Sequence, residues 1–466
     1  MDKMERKFKV TANGKELFVS EGTLLSEALK IEKPCAGRGI CGKCKVQVNG
    51  KDELACQYRV RSDLVVVAPE TGEIFSETGV STEGEADKNL CLALDVGTTT
   101  LALAVVSLET KKAVKVVVAT NPQRLHGADV ISRIEFCRTN SVTPLQKLLV
   151  DEINGMIERL GVGEIENMYV AANTTMLHTL FGEDCSAMGV APYTPVFLES
   201  RTEKGETLGI KGIEKVTSLP SVSAFVGADI VSGLGVIGNP EKGKYNLLID
   251  LGTNAEVVLW SDEKGVATAA AAGPCFEGAN ISHGMSATDG AIYAAEFSGG
   301  KMQVKTINDK RAKGVCGTGL IDAVSELLRF DIIDETGFME DDFLLAEGVW
   351  LTCEDVRQYQ LAKSAVYSAV LCLMSAEGVE ADDLETLYIS GGFSTKVNIE
   401  SAVRSGLLPA EFKDKIKVLG NSSLQGAVKY ATEGVDLEEF VEKIRYADLS
   451  ADPLFANLFV ENMMFG

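Results

Sequence analysis

The residue pattern predicts an α/β protein in two unequal parts: a small sheet-rich N-terminal domain, then a larger body built twice on one α/β plan. Three observations predict it. Four cysteines crowd into residues 35–56. The charge balance breaks near residue 75. An apolar strand running into Asp-x-Gly-Thr occurs twice, at Asp95 and at Asp250, 155 residues apart.

The first part spans residues 1–75. Residues 8–11 and 16–20 alternate in polarity around Asn13-Gly14, the signature of a hairpin. Residues 23–30 suit a helix, and 45–48 and 64–67 suit strands. A domain this small is marginal without a staple. The cysteines supply a candidate. Cys35, Cys41, Cys44 and Cys56 are spaced C-x5-C-x2-C-x11-C. Gly37, Gly39 and Gly42 let the loop wrap closely and turn N–H groups toward a buried anion. Arg38, Lys43 and Lys45 add positive charge. Four thiolates on iron carry net negative charge, which such amides stabilise. Zinc, or unrelated buried thiols, are the alternatives, although only Cys41 and Cys44 have the C-x-x-C spacing that zinc ribbons repeat. Spacing and β-rich frame together resemble the [2Fe–2S] ferredoxins of the plant or adrenodoxin type, in a trimmed form. The resemblance implies that the four cysteines ligate a [2Fe–2S] cluster. The other seven are scattered, and the expectation for each is a small buried hydrophobe. Cys275 and Cys316, in Gly-rich loops, are the candidate exceptions.

Residues 76–90 are polar and acidic and read as a linker. The body then divides into 91–240 and 241–466. In the first half, residues 91–94 and 101–108 form an expected hairpin, 143–160 a helix, 167–172 a strand and 221–236 a Gly- and Ala-rich helix. In the second, 246–251 and 256–261 pair, helices follow at 320–330 and 354–377, and a strand at 386–390. Met463, Met464 and Phe465 are expected to pack as an apolar anchor.

The two turns, Asp95-Val-Gly-Thr-Thr-Thr100 and Asp250-Leu-Gly-Thr-Asn254, each place a carboxylate at a strand end beside a glycine. The glycine lets a phosphate approach the backbone, and N–H groups and Thr hydroxyls can bind its oxygens. The carboxylate can hold Mg2+ through water or orient an attacking water. One such turn is a weak signal; two after similar strands are a strong one. A third loop, Ile389-Ser-Gly-Gly-Phe393, follows a strand and suits adenosine, and residues 421–427 open a helix suited to a hinge. There is no G-x-x-x-x-G-K-[ST] motif. Order and spacing resemble the acetate and sugar kinase, heat-shock-70 and actin superfamily, an actin/hexokinase-like ATPase fold. That resemblance makes Asp95 to Thr100 the first phosphate motif, 224–235 the first connecting helix, and Asp250 to Asn254 the second phosphate motif. It makes Gly391, Gly392 and Phe393 the adenosine motif and 423–430 the second connecting helix. ATP and Mg2+ are the implied ligands. Gly97, Thr98, Thr99, Gly252, Thr253 and Asn254 would contact phosphates, and Asp95 and Asp250 would handle Mg2+ and water. Asp229 and Glu256 are weaker candidates for general base, against solvated or helix-capping carboxylates. The Gly-rich stretch 314–322 reads equally as an anion site or as close helix packing.

A ferredoxin-like domain fused to such a body resembles the reductive activators of corrinoid proteins. Residues 121–131, 172–178, 273–280 and 446–465 share in that resemblance. It implies an ATP-dependent one-electron transfer from the cluster to the Co(II) corrinoid of a methyltransferase-system corrinoid protein, restoring Co(I). A ferredoxin- or flavodoxin-type donor is the implied second partner, O-demethylation one implied setting and anaerobic life the implied context; a homodimer is left open. The competing readings are a small-molecule kinase with an iron–sulfur redox sensor, a chaperone-like clamp, and an activator of radical dehydratases. Glu277 is a candidate contact to ligand or partner, and His126, His178 and His283 are expected to be hydrogen-bonded structural residues.

Charge excludes two classes. Lys and Arg total 45 against 67 Asp and Glu, a net of −22. Residues 1–75 carry +2, which leaves −24 on the rest. No basic footprint for nucleic acid or an anionic membrane is present. With no run of 18 apolar residues and no apolar h-region, the expected location is the cytoplasm.

Overall fold

The computed structural model describes residues 6–31, 33, 37, 39, 44–68, 82, 89–392 and 396–465. Alternation and the Asn13-Gly14 turn build the N-terminal sheet. Both turn residues take positive φ, 45° and 81°, as a tight hairpin requires. Five strands lie in the order Lys15–Ser20, Lys7–Ala12, Leu64–Val67, Lys45–Val48, Lys51–Leu54. Lys7–Ala12 runs parallel to Leu64–Val67, and the other pairs are antiparallel, giving a mixed β-grasp sheet. The helix expected over 23–30 is a single turn, Leu25–Ala28. It stops because Lys30 takes φ 53°. Val10, Leu25, Val46, Val60, Leu64 and Val66 make a thin core that Cys44 and Cys56 join.

The body repeats one topology. The first sheet has the order Arg201–Lys204, Ile213–Ser218, Ile165–Ala172, Leu90–Val96, Thr100–Ser107, Lys112–Thr120. The second has the order Ile416–Gly420, Leu384–Ser390, Tyr245–Leu251, Ala255–Trp260, Gly265–Ala270, Ile444–Tyr446. In each half the strand carrying the aspartate pairs antiparallel with the next strand and parallel with a strand reached through helices. Asp95 lies opposite Ala102 and Ala171, and Asp250 opposite Glu256 and Ser390. The duplication read from two short motifs therefore extends to five strands of each sheet, with Arg201–Lys204 added at one edge of the first and Ile444–Tyr446 at the opposite edge of the second. Leu90, assigned to the linker by composition, is already the first residue of its strand.

Two helices join the halves. Ala228–Ile237 crosses Ser422–Glu433 at a contact that only small residues allow. A Cβ on Gly426 would lie 2.1 Å from the Ser232 carbonyl, and one on Gly233 would lie 2.8 Å from Ser422 Oγ. Ser232 Oγ donates across the crossing to the Ser423 carbonyl at 3.3 Å. One apolar cluster runs through the crossing, with Val231 and Leu234 from the first half and Leu248, Val258, Leu424 and Ala427 from the second.

The first connecting helix is shorter than its composition suggests. Residues 221–227, expected to be helical, form a turn in which Ser223 Oγ accepts from the Phe225 and Val226 amides. Gly227 then packs so tightly that a Cβ would meet Asn173 Cα at 2.5 Å, and the helix starts only at Ala228. At the C-terminus, Phe465 is buried against Tyr359 with ring centroids 6.2 Å apart. Gln360 Nε2 donates to the Met463 carbonyl at 2.7 Å, and Lys363 Nζ donates to that of Met464. Phe465 is thus the anchor, whereas the Met464 side chain faces solvent. Among the described residues, no helix is long and apolar enough to cross a membrane.

Candidate functional site

Because equivalent strands end on the same side of the crossed helices, both Asp-x-Gly-Thr turns open into one cavity of about 420 Å3. Asp95, Gly97, Thr98, Thr99, Asp229, Asp250, Gly252, Thr253, Asn254, Glu256, Gly391 and Gly392 all line it. Phe393, Cys35 and Cys41 lie outside the described residues.

The first turn is held from below. Gly97 is required there, since a Cβ would lie 2.7 Å from the Thr100 carbonyl. Asn121 Nδ2 donates to the Gly97 carbonyl at 2.8 Å, and Asn173 Nδ2 donates to Thr98 Oγ1 at 3.1 Å. Fully buried Arg133 donates to the Thr98 carbonyl at 2.5 Å and to the Gly127 carbonyl at 3.0 Å. Asp95 is gripped from the opposite half. Asn421 Nδ2 and Ser423 Oγ each donate to it at 2.7 Å. Asn421 also caps the second connecting helix by accepting from the Leu424 amide at 2.8 Å, so one side chain fixes both helix start and carboxylate.

The second turn is held by its own half. Gly252 N–H donates to the Asn254 carbonyl at 2.9 Å, and Ser390 Oγ donates to Asp250 at 2.5 Å. Gly391 has φ 114°, and a Cβ there would meet the Leu251 carbonyl at 2.4 Å, so this glycine serves close strand packing. Gly392 has open space around its Cα and faces the cavity. Of the two readings of the 314–322 stretch, the structure displays close helix packing, at the rim of the cavity. A Cβ on Gly317 would lie 2.0 Å from the Phe276 carbonyl, which is tight packing, while Cys316 and Gly317 also line the cavity.

Electrostatics sets the chemistry. Burial pushes Asp95 up to about 6, against hydrogen bonds from Ser423 and Asn421 that pull it down. Burial and the nearby Asp250 charge push Asp229 up to about 8. Asp250 is raised by burial, and Glu256 is raised by burial and by the charges of Asp229 and Asp250. Asp129 and Glu277 also face the cavity, yet among the described lining residues there is no Lys or Arg. A polyphosphate entering alone would meet repulsion and find no countercharge. A divalent cation accompanying it removes both difficulties. No three described carboxylate, His or Cys side chains converge into a ready-made metal site. The residues therefore suit a cation that keeps its waters and is shared with phosphate oxygens, as Mg2+ commonly is.

Sequence reasoning missed Arg133, and it singled out the segments holding Asn121, Asn173 and Ser390 without their roles, which depend on partners far along the chain. It also left Glu277 without a place. The structure puts its carboxylate between the turns, accepting from Thr99 Oγ1 at 3.3 Å and from Thr253 Oγ1 at 2.5 Å. His178 is structural, with Nδ1 bonded to the Thr174 carbonyl and Nε2 accepting from the Val196 amide, while His126 packs in a tilted contact on Phe136.

In the N-terminal domain the Cys44 and Cys56 side chains are buried. Gln57 Nε2 donates to Cys56 Sγ at 3.7 Å and to the Gly37 carbonyl at 2.5 Å, tying the cysteine loop to the sheet. Gly37 and Gly39 take φ 80° and 73°, the wrapped conformation expected of them. This described part of the ligand set fits a thiolate-held group.

Two α/β halves meeting at crossed helices, with an Asp-x-Gly-Thr turn from each in one cleft, define the acetate and sugar kinase, heat-shock-70 and actin class of ATPase folds. Comparison with known proteins narrows this. Residues 244–466 match the C-terminal domain of RACo, the ASKHA domain, and residues 90–239 match the RACo middle region. A solved structure, the reductive activator for corrinoid, iron–sulfur protein, superposes with a TM-score of 0.73 at 26% identity, covering 98% of each chain. The corrinoid activation enzyme RamQ of Eubacterium limosum is 28% identical over 417 residues, which are 80% of this chain and 70% of that protein. A reductase of Methanosarcina barkeri, acting on the Co(II) methylated amine-specific corrinoid protein, is 25% identical over 396 residues, 75% of this chain and 71% of that one. The chain belongs to this family of corrinoid reductive activators.

Proposed function

We propose that the protein is an enzyme that uses ATP to return a methyltransferase-system corrinoid protein from Co(II) to Co(I), one electron at a time. The observation that carries this reading is the cavity itself. Two equivalent turns present Thr98, Thr99, Thr253 and Asn254 beside carboxylates with no cationic side chain among the described lining, a surface suited to nucleotide with Mg2+. In this reading Asp95 and Asp250 orient the hydrated cation and water, and Gly391, Gly392 and Phe393 take the adenosine. Asp229, protonated near neutral pH by its surroundings, is the best placed of the candidate bases to give up or accept a proton as the cation arrives. Glu256 is raised in the same direction, by burial first and then by the charges of Asp229 and Asp250.

Cys35, Cys41, Cys44 and Cys56 would hold the [2Fe–2S] cluster, which supplies one low-potential electron when bound. The domains serving these roles are residues 1–75 for the electron, 76–89 as tether, and 90–240 with 241–466 as the clamp. An electron donor of ferredoxin or flavodoxin type and a cytoplasmic, anaerobic setting complete the proposal. For one electron, about 59 mV is tenfold in equilibrium constant. An uphill step of a few hundred millivolts therefore needs ATP to bind two conformations of the clamp with different affinity. The test mixes the reduced, iron-loaded full-length protein with a Co(II) corrinoid protein. ATP-dependent appearance of Co(I) absorbance supports the reading. Equal reduction without ATP, or none with it, overturns it.

A further inference from the structure

Glu277 sits on the short turn Pro274–Glu277, in the second half of the body. Its two carboxylate oxygens divide between the halves: Oε1 takes the Thr99 hydroxyl of the first turn, and Oε2 takes the Thr253 hydroxyl of the second. A carboxylate with two donors on opposite sides is the arrangement a tetrahedral phosphate would take up between the same hydroxyls. Each hydroxyl has one proton to donate. While Glu277 holds both, a phosphate seated between the turns has neither, and it also meets a like charge.

The turn is not free to yield locally. Gly278 has φ 78°, and a Cβ on it would lie 2.3 Å from the Met285 carbonyl. The Gly278 amide donates to the Cys275 carbonyl at 3.0 Å, and the Ala279 amide to that of Pro274 at 3.0 Å. Behind it, the Phe276 carbonyl presses on Gly317, the first residue of the helix Gly317–Arg329. With the backbone of the turn braced against a helix end, the Glu277 carboxylate leaves by rotation of its own side chain.

We propose that Glu277 is a latch that senses the terminal phosphate. It bridges the two turns, competes with the γ-phosphate for the Thr99 and Thr253 hydroxyls, and is expelled when that phosphate binds, so the clamp distinguishes ATP from ADP. This deepens the ATP reading above and rests on it.

The test titrates the full-length protein with MgATP and, separately, with MgADP by calorimetry. Glu277→Gln removes the charge and can accept from only one of the two hydroxyls. Giving up two charge-assisted hydrogen bonds is expected to tighten MgATP by about tenfold or more and MgADP by less than about threefold. Glu277→Asp keeps the charge but is one methylene too short to span both hydroxyls. It is expected to tighten MgATP by about threefold, and it carries the test if the Gln variant does not fold. MgATP binding that is unchanged or weaker in the folded variants overturns the latch, as does equal tightening toward both nucleotides. Wild-type protein that binds neither nucleotide overturns the ATP reading itself, a distinct result.

Discussion

Asp229 offers a direct test of the cavity's electrostatics. Its carboxyl is raised from an ordinary 3.8 to about 8, first by burial and then by the Asp250 charge. The folded protein thus holds a proton there that the unfolded chain has released. Stability from such a group is complete below the unfolded value and is lost as pH rises through the folded one. Between pH 6.5 and 8, at about 1.4 kcal/mol per pH unit, the loss reaches roughly 2 kcal/mol as an upper limit. Because the carboxyl opens on the cavity, water screens it, and about 1 kcal/mol is the working figure. For a body of this size that corresponds to a fall in melting temperature of roughly 1 °C. His126, lowered to about 4, and His178, also lowered, are ordinary imidazoles in the unfolded chain, so each opposes the fall at the lower edge of the window by about 0.4 kcal/mol at most. Asp250 and Glu256 are shifted in the same direction as Asp229. The assay is thermal unfolding in chelator at pH 6.5 and 8.5. Wild type should melt lower at pH 8.5. Asp229→Asn, which can still accept from the Ile230 amide as Asp229 does at 2.9 Å, should flatten the difference by about half. A wild-type melting temperature that rises across the window, or an undiminished fall in the variant, would refute the picture of unpaired buried carboxylates.

Three further outcomes are expected. Arg133→Met leaves the Thr98 and Gly127 carbonyls without their donor, so it should cost about 2–4 kcal/mol in denaturant unfolding and weaken MgATP binding; unchanged values for both would remove Arg133 as the brace of the first turn. Gly426→Val places a branched side chain against the Ser232 carbonyl and should destabilise the body by about 1–3 kcal/mol, read as a lower denaturation midpoint; a midpoint at the wild-type value would mean that the helix crossing tolerates a wider spacing. Phe465→Ala empties the site against Tyr359 and should cost about 3 kcal/mol by the same measurement; a loss under about 1 kcal/mol would show that the C-terminal segment does not anchor the second half.

What could be read from the sequence was local or periodic. Both Asp-x-Gly-Thr turns, the strands entering them and the helix over residues 354–377 follow from alternation, glycine placement and helical spacing. What could not be read depends on long-range partners. A Gly- and Ala-rich run looks helical from residue 221, yet Ser223 captures two amides and Gly227 must press against Asn173, so the helix waits until Ala228. Arg133 looks like one more surface cation and is fully buried, because three backbone and side-chain acceptors from separate segments converge on it. Glu277 stood out in its motif, but only the meeting of the two halves shows which hydroxyls it spans.

The fold repeats, but the hydrogen bonds on its two aspartates do not. Asp95 of the first half receives both of its donors, Asn421 and Ser423, from the second connecting helix. Asp250 receives its donor, Ser390, from the neighbouring strand of its own sheet. That helix lies against the first sheet, beside Leu90–Val96 and Ile165–Ala172, although its chain comes from the second half. A rotation that parts the halves would therefore carry Asn421 and Ser423 along with Asp95, and each aspartate would keep its donors.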